Sequence, residues 1–352
     1  MRKSNEILTV SAVLAAMILL IPVGSWADGF FIAPIGSFIY EPSQQAYIDY
    51  DSATGIEQLS ILPEFSGDAT AFAWVVPVPG LPEVDPADVQ LFRDLDDLTR
   101  PVRHSRDGDW DCFGNRDDII YADPDGGGID IISSEMVGYY QTLVLSATEA
   151  PALIAFLTGL GFLHEDNLEA TTEVINDYVD RSWYFVAMQV DSTALAEIDR
   201  FNYGGYYGPY TGRLNPVRLT FPSEEIIYPM KISSLSASAE ARVNLYVKTD
   251  RRMTFPGATT YYANRFSPAE TSGLQRYMTL RHELQQGDFL TKLQRGYRPA
   301  EMTEDVVLVP SPVNEEFQLV IYSGLPLTGL LIFSVPVGIA FKRRFWIRLR
   351  PK

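Results

Sequence analysis

Apolar residues gather in long uninterrupted runs at the two ends of the chain and in short alternating or periodic runs between them. The last run, Leu319 to Phe341, holds 23 residues without a charge, and the basic tail KRRFWIRLRPK (342–352) follows at once. As a helix it spans roughly 34 Å, enough for a hydrocarbon core of about 30 Å, and the cations after it mark a cytoplasmic side. Pro326 and Pro336 each remove a backbone donor, which membrane helices tolerate. At the amino end, Arg2 and Lys3 precede an apolar run from Ile7 to Val23. Ser25-Trp26-Ala27 then sets small residues at the −3 and −1 positions of a signal peptide, so cleavage is expected between Ala27 and Asp28. The pattern predicts a signal peptide (1–27), an extracytoplasmic domain (28–316), one transmembrane helix (319–341) and a cytoplasmic tail (342–352). An uncleaved amino-terminal anchor would leave the same topology.

Between the ends the periods are mixed. Ala46–Tyr50 and Glu57–Leu62 alternate around Ser52-Ala53-Thr54-Gly55, which predicts a hairpin. Ala71–Val76 is nearly all apolar and suits a central strand, with Pro77 and Pro79 ending its pairing or setting it at an edge. Asp85-Pro86 predicts a helix start, Leu91, Leu95 and Leu98 its buried stripe, and Pro101 its end. A second helix is expected from Thr148-Glu149, burying Leu153, Phe156, Leu157 and Leu160 and stopping at Gly161, and a third over Leu168–Val179. Strands are expected over Trp183–Val190, in VRLTF, IIYPMKIS and ARVNLYVKT between 217 and 249, and over Glu304–Pro310. Ser267-Pro268-Ala269-Glu270 reads as a capping box opening a helix to about Leu284. The expected fold class is therefore α+β, with β-rich parts on either side of a central helical pair, a sub-boundary near 140–150 and one C-terminal transmembrane helix.

Charge sharpens this. Net charge is −17 overall, but the cations cluster at the ends, so residues 28–316 carry 20 basic against 44 acidic groups, a balance of −24. Such a body repels nucleic acid, and cations or basic partners are its compatible ligands. A hydrophobic share of 46% supplies a core for one large or two ordinary domains. Cys112 is the only cysteine, so no internal disulfide can form.

GDATAFAWVVPVPGLPEV, LVLSATEAPALIAFLTGLGF and VINDYVDRSWYFVAMQV occur in that order, followed by NPVRLTFPSEEIIYPMKIS and by FLTKLQ before MTEDVVLVPS. This ordered set resembles the exported bacterial proteins of domain-of-unknown-function family 2330, over nearly the whole of the domain. The resemblance implies an exported protein, often with a carboxyl-terminal anchor, and no established activity or catalytic residues. Relatives tend to carry cysteines near the GFF start and in the middle; Ala27-Asp28-Gly29-Phe30-Phe31 has none.

Candidate chemistry is sparse. Asp107, Asp109, Asp111, Asn115 and Asp118 fall at positions 1, 3, 5, 9 and 12 of a calcium-loop spacing, although Cys112 stands where the turn glycine belongs. A solvated acidic loop is the simpler account of the same residues. Tyr203, Tyr206, Tyr207 and Tyr210 sit on a glycine-rich stretch and could face a partner protein or glycan, or fold back on the sheet. Leu325-Pro326-Leu327-Thr328-Gly329 matches the motif that sortases cut between Thr and Gly, which would fix the protein to the cell wall instead. His104, His164 and His282 share no metal spacing, and neither a nucleophile elbow nor a P-loop is present. The leading expectation is a single-pass, membrane-anchored module that binds a protein or glycan of the envelope or serves structurally, with calcium as its possible cofactor. A sortase-anchored surface protein and a carboxylate-based envelope hydrolase are the alternatives.

Overall fold

The computed structural model describes residues 30–34, 37, 39–41, 43–69, 71–105, 134–137, 140–146, 150–159, 163, 165–190, 211–236 and 241–323. The first half of the chain forms β1 (Phe30–Ile32), β2 (Ile39–Tyr40), β3 (Gln44–Asp51), β4 (Ile56–Gly67), β5 (Phe72–Val78), β6 (Glu83–Pro86) and helix α1 (Val89–Leu98). There follow β7 (Val102–Ser105), β8 (Ser134–Val137), β9 (Tyr140–Leu145), α2 (Ala150–Gly159), α3 (Glu165–Asp180) and β10 (Tyr184–Val190). The second half adds β11 (Thr211–Arg213), β12 (Val217–Pro222), β13 (Ile226–Tyr228), β14 (Ala241–Thr249), β15 (Met253–Thr254) and β16 (Thr259–Arg265). It closes with α4 (Pro268–Gly273), α5 (Leu280–Glu283), β17 (Phe289–Tyr297), β18 (Val306–Pro310), β19 (Phe317–Gln318) and β20 (Val320–Ser323).

Two sheets carry the architecture. A five-stranded sheet runs β1-β5-β10-β9-β8, and a ten-stranded sheet runs β19-β16-β17-β14-β3-β4-β12-β6 with β11 and β2 also pairing to β4. One apolar core unites them, with Trp74, Val76, Val186 and Met188 from the smaller sheet and Ile48, Leu59, Val243 and Leu245 from the larger. The other face of the smaller sheet, with Val75, Phe185 and Ala187, is covered by Leu153 and Leu157 of α2 and Ile175 and Tyr178 of α3. The other face of the larger sheet, with Tyr47, Leu62, Tyr246 and Leu290, is covered by Leu91, Phe92 and Leu95 of α1 and Leu274, Leu280 and Leu284. The order of layers is thus helix, sheet, sheet, helix.

Local sequence explains several elements. The hairpin joining β3 to β4 turns where Asp51 accepts from the Ala53 N–H (2.9 Å) and the Thr54 hydroxyl (2.8 Å). Gly55 completes that turn at φ +67°, open to glycine without steric cost. All seven residues of β5 are buried between β1 and β10, as a continuous apolar run requires. Its pairing to β1 ends at Val75, before Pro77, while pairing to β10 runs on to Val78.

The structure corrects the expected fold class. The protein is β-rich, and the α2–α3 pair does not separate two β-rich parts; it covers one outer face. Strands from both ends of the chain share one sheet, β3 lying parallel to β14 with Ala46 opposite Leu245. Hydrophobic pairing at long sequence separation, which local periodicity cannot report, set that order. The expected transmembrane helix over 319–341 is corrected as well: its first residues are not helical, and 324–341 lie outside the described residues. Val320–Ser323, inside its first turns, is strand β20, paired parallel to β7 from Val320↔Val102 to Ser323↔Ser105. Val320, Ile321 and Tyr322 favour an extended backbone, and the Leu319 N–H is already held by the Tyr261 carbonyl at 2.9 Å. Among the described residues no helix is long and apolar enough to cross a membrane.

Smaller corrections have local causes. Asp85-Pro86 ends the edge strand β6, where a proline without N–H is tolerated, and α1 is capped instead by Asp88, which accepts from the Gln90 N–H at 2.8 Å. The capping box at Ser267 and Glu270 forms as expected, but the helix ends at Gly273. Pro229 follows the last residue of β13, and the chain turns into a short 3-10 segment at Lys231–Leu235.

Candidate functional site

Strand alternation sends Gln45, Tyr47 and Asp49 of β3 and Arg242, Asn244, Tyr246 and Lys248 of β14 to the outer face of the larger sheet. The helical cover sits over the middle of that face. Each end is polar.

At one end, β3, β14 and β17 bring three amides into register, Asn244 lying opposite Gln45 on one side and Gln294 on the other. Gln294 Nε2 donates to Asn244 Oδ1 at 2.6 Å. Beside them Arg213 of β11 faces Glu64 of β4 across the strand pair and donates to it through Nε at 2.5 Å. With Ser43 and Arg242 these side chains line an open groove of about 330 Å³. Among the described residues the side chains of Gln45 and Ser43 make no hydrogen bond. Every lining residue is polar, so what the groove offers is a mixed field of donors and acceptors.

At the other end lies a charged cluster. Lys248 donates to Asp49 at 2.8 Å and lies 3.7 Å from Asp288; Arg218 donates to Glu283 at 2.8 Å and to Ser60 at 3.1 Å. Tyr47 stands between these pairs, only 1% exposed, and its hydroxyl has no hydrogen-bond partner among the described residues. Burial drives that hydroxyl's pKa well up, with the Asp49 carboxylate adding to the rise. Burial also raises the Asp49 carboxyl, against the opposing hydrogen bond and charge of Lys248.

Between the two ends the cover is pinned by charge. Lys292 donates to Asp96 of α1 at 2.9 Å and rests over the Tyr246 ring at 4.8 Å. Asp94 accepts from both the N–H (2.9 Å) and the hydroxyl (2.7 Å) of Thr279, which ties α1 to the segment leading into α5. The charged cluster and this tether hold layers together.

Asp107, Asp109, Asp111, Asn115 and Asp118, Tyr203, Tyr206, Tyr207 and Tyr210, Ala27 and Asp28, and Leu325, Pro326, Thr328 and Gly329 all lie outside the described residues. Among the described residues no three His, Cys, Asp or Glu side chains are placed to hold a metal ion. No sequence motif marks the groove residues, since each is an ordinary outward position of an alternating strand. A signal was present in Arg242-Val-Asn244-Leu-Tyr246-Val-Lys248, where every second residue carries a polar group, but the strands beside it were not knowable.

No curated protein matches the sequence. Among solved structures, the crystal structure of baculovirus P35 is similar over 80% of this chain and 97% of that one, at 9% identity and a TM-score of 0.36, too loose a likeness to transfer anything. The family profile described as "Uncharacterized protein conserved in bacteria (DUF2330)" matches residues 25–309, most of the chain including the smaller sheet, all but the edge strand β19 of the larger one, and the groove, and the protein belongs to that family.

Proposed function

We propose that this protein is an exported binding module of the bacterial cell envelope, and that it engages its ligand through the polar groove on the outer face of the larger sheet. The observation that carries this reading is the row Gln45, Asn244 and Gln294, three amides in register on adjacent strands with an open groove above them. A rigid sheet holds such groups in place better than a loop does, so little ordering entropy is lost on binding. The signal-like amino end and the strongly acidic body support export.

The test is retention of the full-length protein on isolated bacterial envelopes. Replacing Gln45 and Asn244 together by Ala removes two amides and should lower retention about tenfold or more, with the fold kept and only the small loss of thermal midpoint expected from the missing Gln294 hydrogen bond. Retention equal to that of the unaltered protein would refute the groove as the binding surface.

A further inference from the structure

We infer that the ligand of the groove is a polyhydroxyl chain, a glycan laid across the strands, which deepens the binding-module reading and rests on it. The hydrogen bond from Gln294 Nε2 to Asn244 Oδ1 leaves the Asn244 amide nitrogen as a donor and the Gln294 amide oxygen as an acceptor. A sugar hydroxyl donates and accepts at once, and adjacent hydroxyls on a ring present that pairing repeatedly. Neighbouring strands lie about 4.8 Å apart, comparable with the length of one hexose ring, so amides on β3, β14 and β17 meet successive rings of a chain running across the sheet.

Other ligand classes fit the lining worse. Arg213 is paired with Glu64 while Arg242 adds a second cation to the lining, so what disfavours an anion is the strongly acidic body around the groove. No apolar side chain lines it, which disfavours a lipid or an apolar peptide. A nucleic acid would meet the acidic body around it. Uncharged hydroxyls match what Gln45, Ser43, Asn244 and Gln294 have to offer.

The experiment measures binding of the full-length protein to immobilised, protein-free polysaccharide from bacterial envelopes, before and after periodate has cleaved its vicinal diols. Binding to the intact polysaccharide, lost on oxidation, is expected. Asn244→Asp keeps the acceptor for Gln294 but removes the free donor, and should weaken binding about tenfold at an unchanged melting temperature. No binding to polysaccharide, or binding indifferent to both periodate and N244D, overturns the glycan assignment. If the Gln45/Asn244 double variant still falls off whole envelopes in that case, the groove remains the binding surface for another partner. If that variant is retained in full, both readings fall.

Discussion

The two faces of the ten-stranded sheet are built from the same strands and obey opposite rules. On the inner face Ile48, Leu59, Val243 and Leu245 meet the smaller sheet, and the few polar groups there are enclosed. Glu57 is the extreme case: fully buried, with one carboxylate oxygen accepting from the Ile227 N–H at 3.0 Å and the other without a partner among the described residues. On the outer face apolar contact is confined to the middle, and charge and amides take both ends. The inner face therefore decides whether the sheet exists, and the outer face decides what it can hold. A side chain moved by one residue along β14 changes from one task to the other.

That contrast can be broken at graded cost. Leu245→Ala opens a cavity at the centre of the inner core and should destabilise the protein by about 2–5 kcal/mol, seen as a lower denaturant midpoint at constant slope. A loss below about 1 kcal/mol would mean that the two sheets do not share a tightly packed core. Asp94→Ala acts on the outer face, where it strands the Thr279 N–H and hydroxyl and should cost about 1–3 kcal/mol. Hydrogen exchange should speed up in α1 and residues 266–284 while β5 and β10 stay protected; equal loss in both would show that the cover is not a separate layer.

Glu57→Gln tests the enclosed carboxyl by its pH dependence. Burial lifts its pKa in the folded protein well above the ordinary value, against the Ile227 hydrogen bond. An unfolded glutamate loses its proton near pH ~4.3. Between that value and the raised one the folded state holds a proton that the unfolded state has released. Stability from this group is thus complete below pH ~4.3 and is lost as pH climbs through the window, by at most ~1.4 kcal/mol per pH unit. The glutamine variant should remove that slope and be the more stable protein at neutral pH. Parallel pH profiles for the two proteins would contradict the assignment.

Sequence patterns reported what is local. The hairpin at Ser52–Gly55, the all-buried strand at Phe72, the alternation of 241–249 and the box at Ser267 follow from residues within a few positions of one another. Asp85-Pro86 misled because the same dipeptide suits a helix start and an edge strand, and only the neighbouring β12 selects the second. Leu319–Ser323 misled in the same way, since an apolar β-branched run reads as a membrane helix until Val102–Ser105 is seen beside it. The groove was illegible for a further reason. Gln45 and Asn244 are 199 positions apart, and nothing in either neighbourhood names the other.

The side-by-side alignment of Gln44–Asp49 with Val243–Lys248, running in the same direction, also governs how the molecule comes into being. Closing so long a loop carries its entropic cost before any contact repays it, which places this chain among slow folders of high contact order. Until residues near 222 and 249 have been synthesised, the hairpin of β3 and β4 has two open hydrogen-bonding edges and a greasy side. A nascent copy is therefore most vulnerable to aggregation midway through its production, and holding chaperones would be needed over that interval.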